Sequence, residues 1–323
     1  MKLSRLDNMK TILLLGGYGF IGTNIMKFID ANALSDYRVV VFDRFPNHLD
    51  NIQFDCKVQA YSGDFSDEYL LDRVFSENSI DIVIHSLSAS VPSSSRDNAF
   101  DLQFNVIPTI GLLNTMSKHS VDKIVFISSG GAIYGDHYVD KNGHKEDEVL
   151  FPKSAYGVSK LVIEKYLYLY QVQYGLKSLV LRLSNPYGPY HYSQKQGIIN
   201  IALERALKGE TFEIWGDGKG KKDYIYIEDF CRVLLGLIEQ EWQDYRVINV
   251  GSGELLSVNQ IVASIKGICP VFESTHKEAN ALDVKDFRLD LSVLKRSFDT
   301  EFTTLEEGLH KLKDWYLTRK EYV

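Results

Sequence analysis

Residues Thr11 to Ala33 leave the chain few folds to choose from. The run Thr11-Ile-Leu-Leu-Leu15 has no polar alternation, which predicts a short strand buried on both faces. It leads straight into Gly16-Gly-Tyr-Gly-Phe-Ile-Gly22, and Ile21–Ala33 then carries helical periodicity. A strand, a tight glycine turn and a helix in that order predict the opening of a βαβ unit. Gly16 permits the turn, Gly19 lets backbone approach a pyrophosphate, and Gly22 lets helix and strand pack closely. The first helical N–H groups, around Phe20 and Ile21, have no partners within the helix and suit a phosphate charge.

The same texture continues through the first half. Strands are predicted at Arg38–Asp43, Val58–Tyr61, Ile82–His85, Lys123–Ser128 and Ser178–Leu183. Helices are predicted near Glu68–Ser76, Leu102–His119 and Ser159–Tyr174. This alternation predicts an α/β fold with a doubly wound parallel sheet of the Rossmann type over residues 9–184. After Asn185-Pro-Tyr-Gly-Pro189 the elements shorten: a helix near Ile198–Lys208, then Thr211–Trp215, a glycine turn at 216–220 and Tyr224–Ile227. Residues 185–323 therefore read as a smaller α+β lobe that carries substrate, with some return to the first domain. Thr304-Leu-Glu-Glu307 opens a final capped helix.

Composition narrows the class. The 323 residues carry 45% apolar and 24% charged side chains, ordinary for a soluble enzyme, and a net charge of −7 that offers no footprint for nucleic acid. No apolar run is long enough for a membrane span, and the polar start does not read as a secretory signal. Residues 1–8, ahead of Met9, are expected to be a frayed extension. Cys56, Cys231 and Cys269 are odd in number and far apart, which fits free thiols in a reducing cytoplasm.

Two further patterns carry chemistry. Asp43 ends the second predicted strand, about 20 residues past the glycine loop, where a carboxylate binds ribose hydroxyls and repels a 2′-phosphate. That favours NAD over NADP, although the adjacent Arg44 can accept such a phosphate. Asp64, in Gly-Asp-Phe65, either meets the adenine amino group or caps the next helix. Tyr156 and Lys160 stand four residues apart, one helical turn, where an ammonium favours an ionised phenol and the phenol can take a proton from a sugar hydroxyl. The strand end Ser128-Ser-Gly-Gly131 lies between these motifs in sequence.

Together with Ile133-Tyr-Gly135, Asn185-Pro-Tyr-Gly188 and Lys222-Asp-Tyr-Ile-Tyr-Ile-Glu-Asp229, these motifs resemble the extended short-chain dehydrogenase/reductase superfamily, in its NAD-dependent sugar-nucleotide epimerase/dehydratase branch typified by UDP-glucose 4-epimerase. The resemblance runs from Gly16 to about Leu309. It implies Tyr156 as acid/base, Lys160 on the nicotinamide ribose, Asn105 beneath the nicotinamide, and Leu87, Ser88 and the residues to Ser90 as a loop running past the cofactor. It implies Asn185 and Lys222 at the substrate diphosphate, and no metal.

Three departures from the family pattern matter. The usual catalytic hydroxyl falls on Gly130, so Ser129 is nominated in its place, for both catalysis and substrate binding. The Asp-Glu pair of the dehydratases falls on Gly131 and Ala132, which argues against 4,6-dehydration. The diphosphate arginines fall on Lys222 and on Asn280, three residues before Asp283-Val284; Lys277, Lys285 or Arg288 are the cations at hand to compensate.

The resemblance implies C4 epimerisation of a UDP-hexose or UDP-N-acetylhexosamine through a 4-keto intermediate. The alternative is NAD(P)H-dependent reduction of a nucleotide-4-keto-6-deoxysugar, with a UDP- or dTDP-linked substrate. A non-catalytic NAD-sensing protein is a third reading. A cytoplasmic homodimer in cell-surface polysaccharide synthesis is expected, with Leu161, Val162, Tyr166, Leu169, Tyr170 and Gln173 marking the pairing helix.

Overall fold

The computed structural model describes residues 9–44, 54, 58–90, 98–135, 143–194, 196–278, 286–298 and 300–319. The elements begin β1 (Lys10–Leu15), α1 (Phe20–Ala31), β2 (Tyr37–Asp43), β3 (Val58–Ser62), α2 (Glu68–Glu77) and β4 (Ile82–His85). A π-helical turn (Leu102–Val106) then leads into α3 (Ile107–Lys118), β5 (Lys123–Ser129), α4 (Gly130–Ile133), α5 (Ala155–Tyr174) and β6 (Lys177–Leu183). There follow β7 (Asn185–Tyr187), α6 (Ile198–Lys208), β8 (Phe212–Trp215), β9 (Lys221–Tyr226), α7 (Ile227–Ile238) and β10 (Tyr245–Val250). The last are β11 (Leu255–Ser257), α8 (Val258–Ile268), β12 (Ser274–Lys277), β13 (Asp286–Phe287), α9 (Ser292–Ser297) and α10 (Leu305–Leu317).

The chain divides into two compact units, the first comprising 1–135, 152–182 and 238–248, the second 136–151, 183–237 and 249–323. The boundary expected at 184/185 falls at 182/183, segment 136–151 goes with the second unit, and 238–248 returns to the first.

The first unit is built on a seven-stranded sheet of order β10-β6-β5-β4-β1-β2-β3. Parallel registers run Leu13↔Val40 and Leu13↔Val83, so the chain winds outward in both directions from β1 and β4. Leu13, Val40, Phe42, Val83, Phe126, Leu112, Met116, Ile163 and Leu167 form one buried cluster, which explains the unalternated apolar strands. The switch in strand order between β1 and β4 opens a crevice at the carboxyl ends of the strands.

The helix expected over Leu102–His119 is divided. Pro108 has no N–H to give and is the second residue of α3, just past the π-helical turn, where the helical ladder changes step. The helix expected from Ser159 starts a turn earlier: the Ser154 hydroxyl accepts from Gly157 N at 3.1 Å, and Gly175 closes the helix at φ 72°. Tyr156 thereby falls in the first turn of α5.

The second unit has a four-stranded sheet in which β9 pairs antiparallel with β11 and parallel with β13 and β7, and a separate β8–β12 pair. Its core gathers Tyr187, Leu203, Phe212, Tyr226, Ile261, Leu309 and Tyr316. Thr304 and Glu307 complete the capping box of α10 as expected. No helix among the described residues is long and apolar enough to cross a membrane.

Candidate active site

The glycine loop turns from β1 with Gly16 at φ 80°. A Cβ on Gly22 would lie 2.3 Å from the Gly16 carbonyl oxygen, and one on Gly17 2.6 Å from Val41 Cγ1. Both positions therefore demand glycine, and Gly17 lies outside the G-x-x-G-x-x-G spacing that marks the loop in sequence. Gly19 occupies the N-cap of α1 and gives it no side-chain cap, so the opening turn at Phe20 and Ile21 presents backbone N–H groups to an anion. These are the features of a cradle shaped for a dinucleotide pyrophosphate.

Asp43 sits directly beneath. Its carboxylate accepts from Tyr18 N at 3.0 Å and from Arg44 N at 2.7 Å. Arg44 pairs with Asp64 at 3.1 Å. Asp64 does not cap α2, because Asp67 does, accepting from Leu70 N at 2.9 Å. Asp64 instead accepts from the Ser66 N–H and hydroxyl at 2.9 and 2.6 Å, bonds that together with Arg44 hold it below the usual carboxylate range. Phe65 is buried, edge-on to His85 at 5.2 Å. Leu87 lies against Gly16, and Ser88 donates to the Ser90 carbonyl at 2.8 Å.

Asn105 stands in the π-helical turn and is buried. Its side-chain oxygen accepts from Ala89 N at 2.7 Å, and its amide donates to Asp101 at 2.9 Å. Ser90 also donates to Asp101. Thr109 donates to the Asn105 carbonyl at 2.6 Å and sits 2.9 Å from His85 Nε2. Asn105 thus ties the turn to the loop 87–90. Burial and the nearby Lys160 charge hold His85 neutral, with its pKa pulled down to about 3.

The reaction-centre candidates meet at the end of β5. Ser129 lies beside the Tyr156 phenol, where its hydroxyl favours the ionised form. Gly157 allows this approach, since a Cβ there would lie 2.3 Å from the Ala132 carbonyl oxygen. Lys160 is buried, donates to the Ile127 carbonyl at 3.0 Å, and lies 4.7 Å from the Phe126 ring and 5.7 Å from the Tyr156 ring. The expectation that Lys160 lowers the phenol pKa is corrected here: burial pushes Tyr156 up to about 12, Ser129 opposes the rise and the Asp101 charge adds to it. Burial likewise pulls Lys160 down to about 8, against the charges of Glu164 and Asp101.

Behind this pair lies a network that sequence reasoning missed. Arg182 donates to Glu164 at 2.8 and 3.2 Å and to the Tyr134 hydroxyl at 2.9 Å, and Ser128 donates to Glu164 at 2.6 Å. Glu164 and Asp101 had a signal: each lies one helical turn from a nominated residue, Lys160 or Asn105.

In the second unit, β7 and β9 run side by side, and Asn185 pairs with Tyr224, two residues beyond Lys222. The Asn185 amide donates to the Asp223 carbonyl at 2.8 Å. Lys277 pairs with Glu213 at 2.6 Å, and Arg288 is exposed. Asn280, Asp283, Val284 and Lys285 lie outside the described residues.

A glycine cradle after β1, the Asp43 carboxylate at the end of β2 and a Tyr-Lys pair beside the end of β5 are the arrangement to set against known proteins. The profile of the NAD dependent epimerase/dehydratase family matches residues 12–251. The chain belongs to this family. Among curated relatives, the putative UDP-glucose 4-epimerase of Methanocaldococcus jannaschii is 32% identical over 309 residues, 94% of this chain and 97% of that one. The dTDP-4-dehydro-6-deoxyglucose reductase of Escherichia coli is 29% identical, over 93% of this chain and 96% of that one. The crystal structure of Thermotoga maritima UDP-glucose 4-epimerase with UDP-glucose superposes with a TM-score of 0.87 at 34% identity, covering 95% and 99%. NAD is the cofactor of the family, and the cradle at Gly16–Gly22 with Asp43 fits it.

Proposed function

We propose that this protein is an NAD-dependent 4-epimerase of a nucleotide sugar, a UDP-hexose or UDP-N-acetylhexosamine. The observation that carries the reading is Lys160, buried and 5.7 Å from the Tyr156 ring, with Ser129 beside the phenol, at the strand ends that also bear the glycine cradle. Bound NAD supplies a hydride acceptor that can return the hydride to the opposite face of a 4-keto sugar.

The chain's own part is proton handling. Tyr156 takes the proton of the sugar O4 hydroxyl and gives it back after the sugar has turned over. Ser129 fills the place of the hydroxyl missing at Gly130, sharing its proton with the phenol and orienting O4. A buried phenol at about 12 stays protonated at neutral pH, so Tyr156 takes the O4 proton only when a positive charge is placed beside it; Lys160, in the same enclosure, is proposed to hold the nicotinamide ribose. Asn185 and Lys222, on neighbouring strands of the second unit, are proposed for the substrate diphosphate. Phe20, Ile21, Asp64, Phe65, Leu87, Ser88 and Asn105 are proposed to line the cofactor.

Incubation of the purified protein with UDP-galactose, without added cofactor, tests the reading. UDP-glucose should accumulate, and strict dependence on added NADPH would rule it out.

The second reading, reduction of a nucleotide-4-keto-6-deoxysugar, draws on the reductase relative and on the Tyr156 phenol itself. A phenol held protonated at neutral pH is already a proton donor. Consumption of NAD(P)H with a dTDP-4-keto-6-deoxyhexose decides between the two.

A homodimer is proposed from the apolar surface of α5, where Tyr168, Leu169, Val172 and Tyr174 are exposed. The net charge of −7 supports a protein that does not bind nucleic acid, and we place it in the cytoplasm.

A further inference from the structure

Asp43 alone does not account for the cofactor edge of the site, because an arginine follows it. A guanidinium next to the ribose-binding carboxylate is the group that ordinarily accepts a 2′-phosphate. Here that guanidinium is engaged. The register of β2 and β3 pairs Asp43 with Ser62, and Gly63 N donates to the Asp43 carbonyl at 3.1 Å. Arg44 and Asp64 are thereby brought across from one another at the carboxyl ends of adjacent strands, their side chains 3.1 Å apart. Ser66 fixes Asp64 for this task through its N–H at 2.9 Å and hydroxyl at 2.6 Å. Ser62 holds the Arg44 carbonyl at 3.3 Å.

We infer that Asp64 is a cofactor-specificity residue that keeps Arg44 away from a 2′-phosphate, so that preference for NAD rests on Asp43 and the Arg44–Asp64 pair together. The inference rests on the proposed dinucleotide site at Gly16–Gly22. A phosphate arriving at the ribose meets Asp43, finds Arg44 already neutralised, and faces Asp64 as a second negative charge. Removing Asp43 alone leaves Arg44 paired. Removing both carboxylates frees Arg44 to grip the phosphate.

The test measures nucleotide retention rather than turnover. Wild type and variants are equilibrated with equal concentrations of NAD+ and NADP+, freed of unbound nucleotide and denatured, and the released nucleotides are quantified by chromatography. In the Asp43→Asn background, adding Asp64→Asn should raise the NADP to NAD ratio a further threefold to tenfold, roughly the worth of an exposed ion pair plus the lost repulsion. Arg44→Ala in the double variant should cancel most of the gain, leaving only the part due to lost repulsion. Asp64→Ser is measured alongside, so that loss of the Ser66 turn in one variant does not decide the result. An unchanged ratio with both Asp64 variants, or a gain that survives Arg44→Ala undiminished, overturns the inference while leaving the cofactor site standing if wild type retains NAD. A wild type that retains neither nucleotide overturns the cofactor reading and this inference with it.

Discussion

The buried pair Glu164–Arg182 offers a quantitative check on how the reaction centre is held. The two side chains are 1% and 4% exposed and are joined by two hydrogen bonds, of 2.8 and 3.2 Å. Removing one partner leaves an uncompensated charge in the core, which costs about 3–5 kcal/mol. Arg182→Met should therefore destabilise by about that amount, since Ser128, at 2.6 Å, is the one side-chain donor that remains to Glu164 among the hydrogen bonds described above. Glu164→Gln removes the negative charge opposite the guanidinium and should cost as much. The double variant should cost no more than either single one, giving a coupling energy of about 3 kcal/mol or more. Urea unfolding followed by circular dichroism and by tryptophan fluorescence gives the midpoints and slopes. Because Glu164 lies one turn beyond Lys160 and Ser128 adjoins Ser129, the single variants should also lose turnover. Costs that add to within about 0.5 kcal/mol would refute the argument, for they would mean that the two charges are already solvated separately.

Other outcomes follow from the same geometry. Tyr156→Phe removes the proton carrier and should lower the rate of UDP-galactose conversion by about 10²–10⁴-fold, while near-wild-type turnover would remove Tyr156 from the mechanism. Gly157→Ala drives a methyl to 2.3 Å from the Ala132 carbonyl oxygen and should cut kcat by about tenfold or more, whereas Gly131→Ala, whose added methyl meets nothing within 4 Å, should leave stability near wild type; equal unfolding midpoints for the two variants would contradict the packing argument. Burial raises the Asp223 carboxyl to about 6, against hydrogen bonds from the Gly253 and Ser252 N–H groups. The folded state then holds that proton more tightly than the unfolded state, so about 3 kcal/mol of stabilisation is present below pH 4 and is lost as the pH rises through about 6. Asp223→Asn should flatten this slope in urea midpoints taken across that range, and an unaltered slope would assign the titration elsewhere. Light scattering should return twice the chain mass of 36.8 kDa, and a monomer would refute the proposed pairing through α5.

The first half of the fold was legible because its strands are apolar on every residue: Ile12, Leu13, Leu14 and Val39 to Phe42 have no exposed face to alternate with. Asp43 and the Tyr156–Lys160 spacing were legible for a similar reason, since each is fixed by local geometry. The start of α5 was missed because Gly157 is a poor helix former, and the signal lay in Ser154 as a cap. The break before α3 was written in Pro108 but its form, a π-helical turn carrying Asn105, depends on what that turn grips. The direction of the Tyr156 pKa could not be read from spacing at all. It depends on enclosure by residues distant in sequence and on Asp101, which is 55 positions away. In the second unit α7 and α8 escaped notice, although Phe230, Val233, Leu234 and Leu237 carry helical periodicity and Ser257 and Gln260 form a capping box.

The return of β10 to the first sheet has a consequence for how the protein is made. Ser178 N bonds to the Asp244 carbonyl at 2.9 Å, Tyr245 reaches the Glu164 carbonyl at 3.2 Å, and Lys10 at the start of β1 pairs with Glu239 at 2.5 Å. A nascent chain that has emerged only as far as β6 therefore carries an unpaired sheet edge, and it keeps that edge until more than 60 further residues have left the ribosome. The nucleotide-binding half cannot be completed ahead of the rest, and a fragment ending near residue 184 should be recovered from cells as aggregate rather than as a soluble domain.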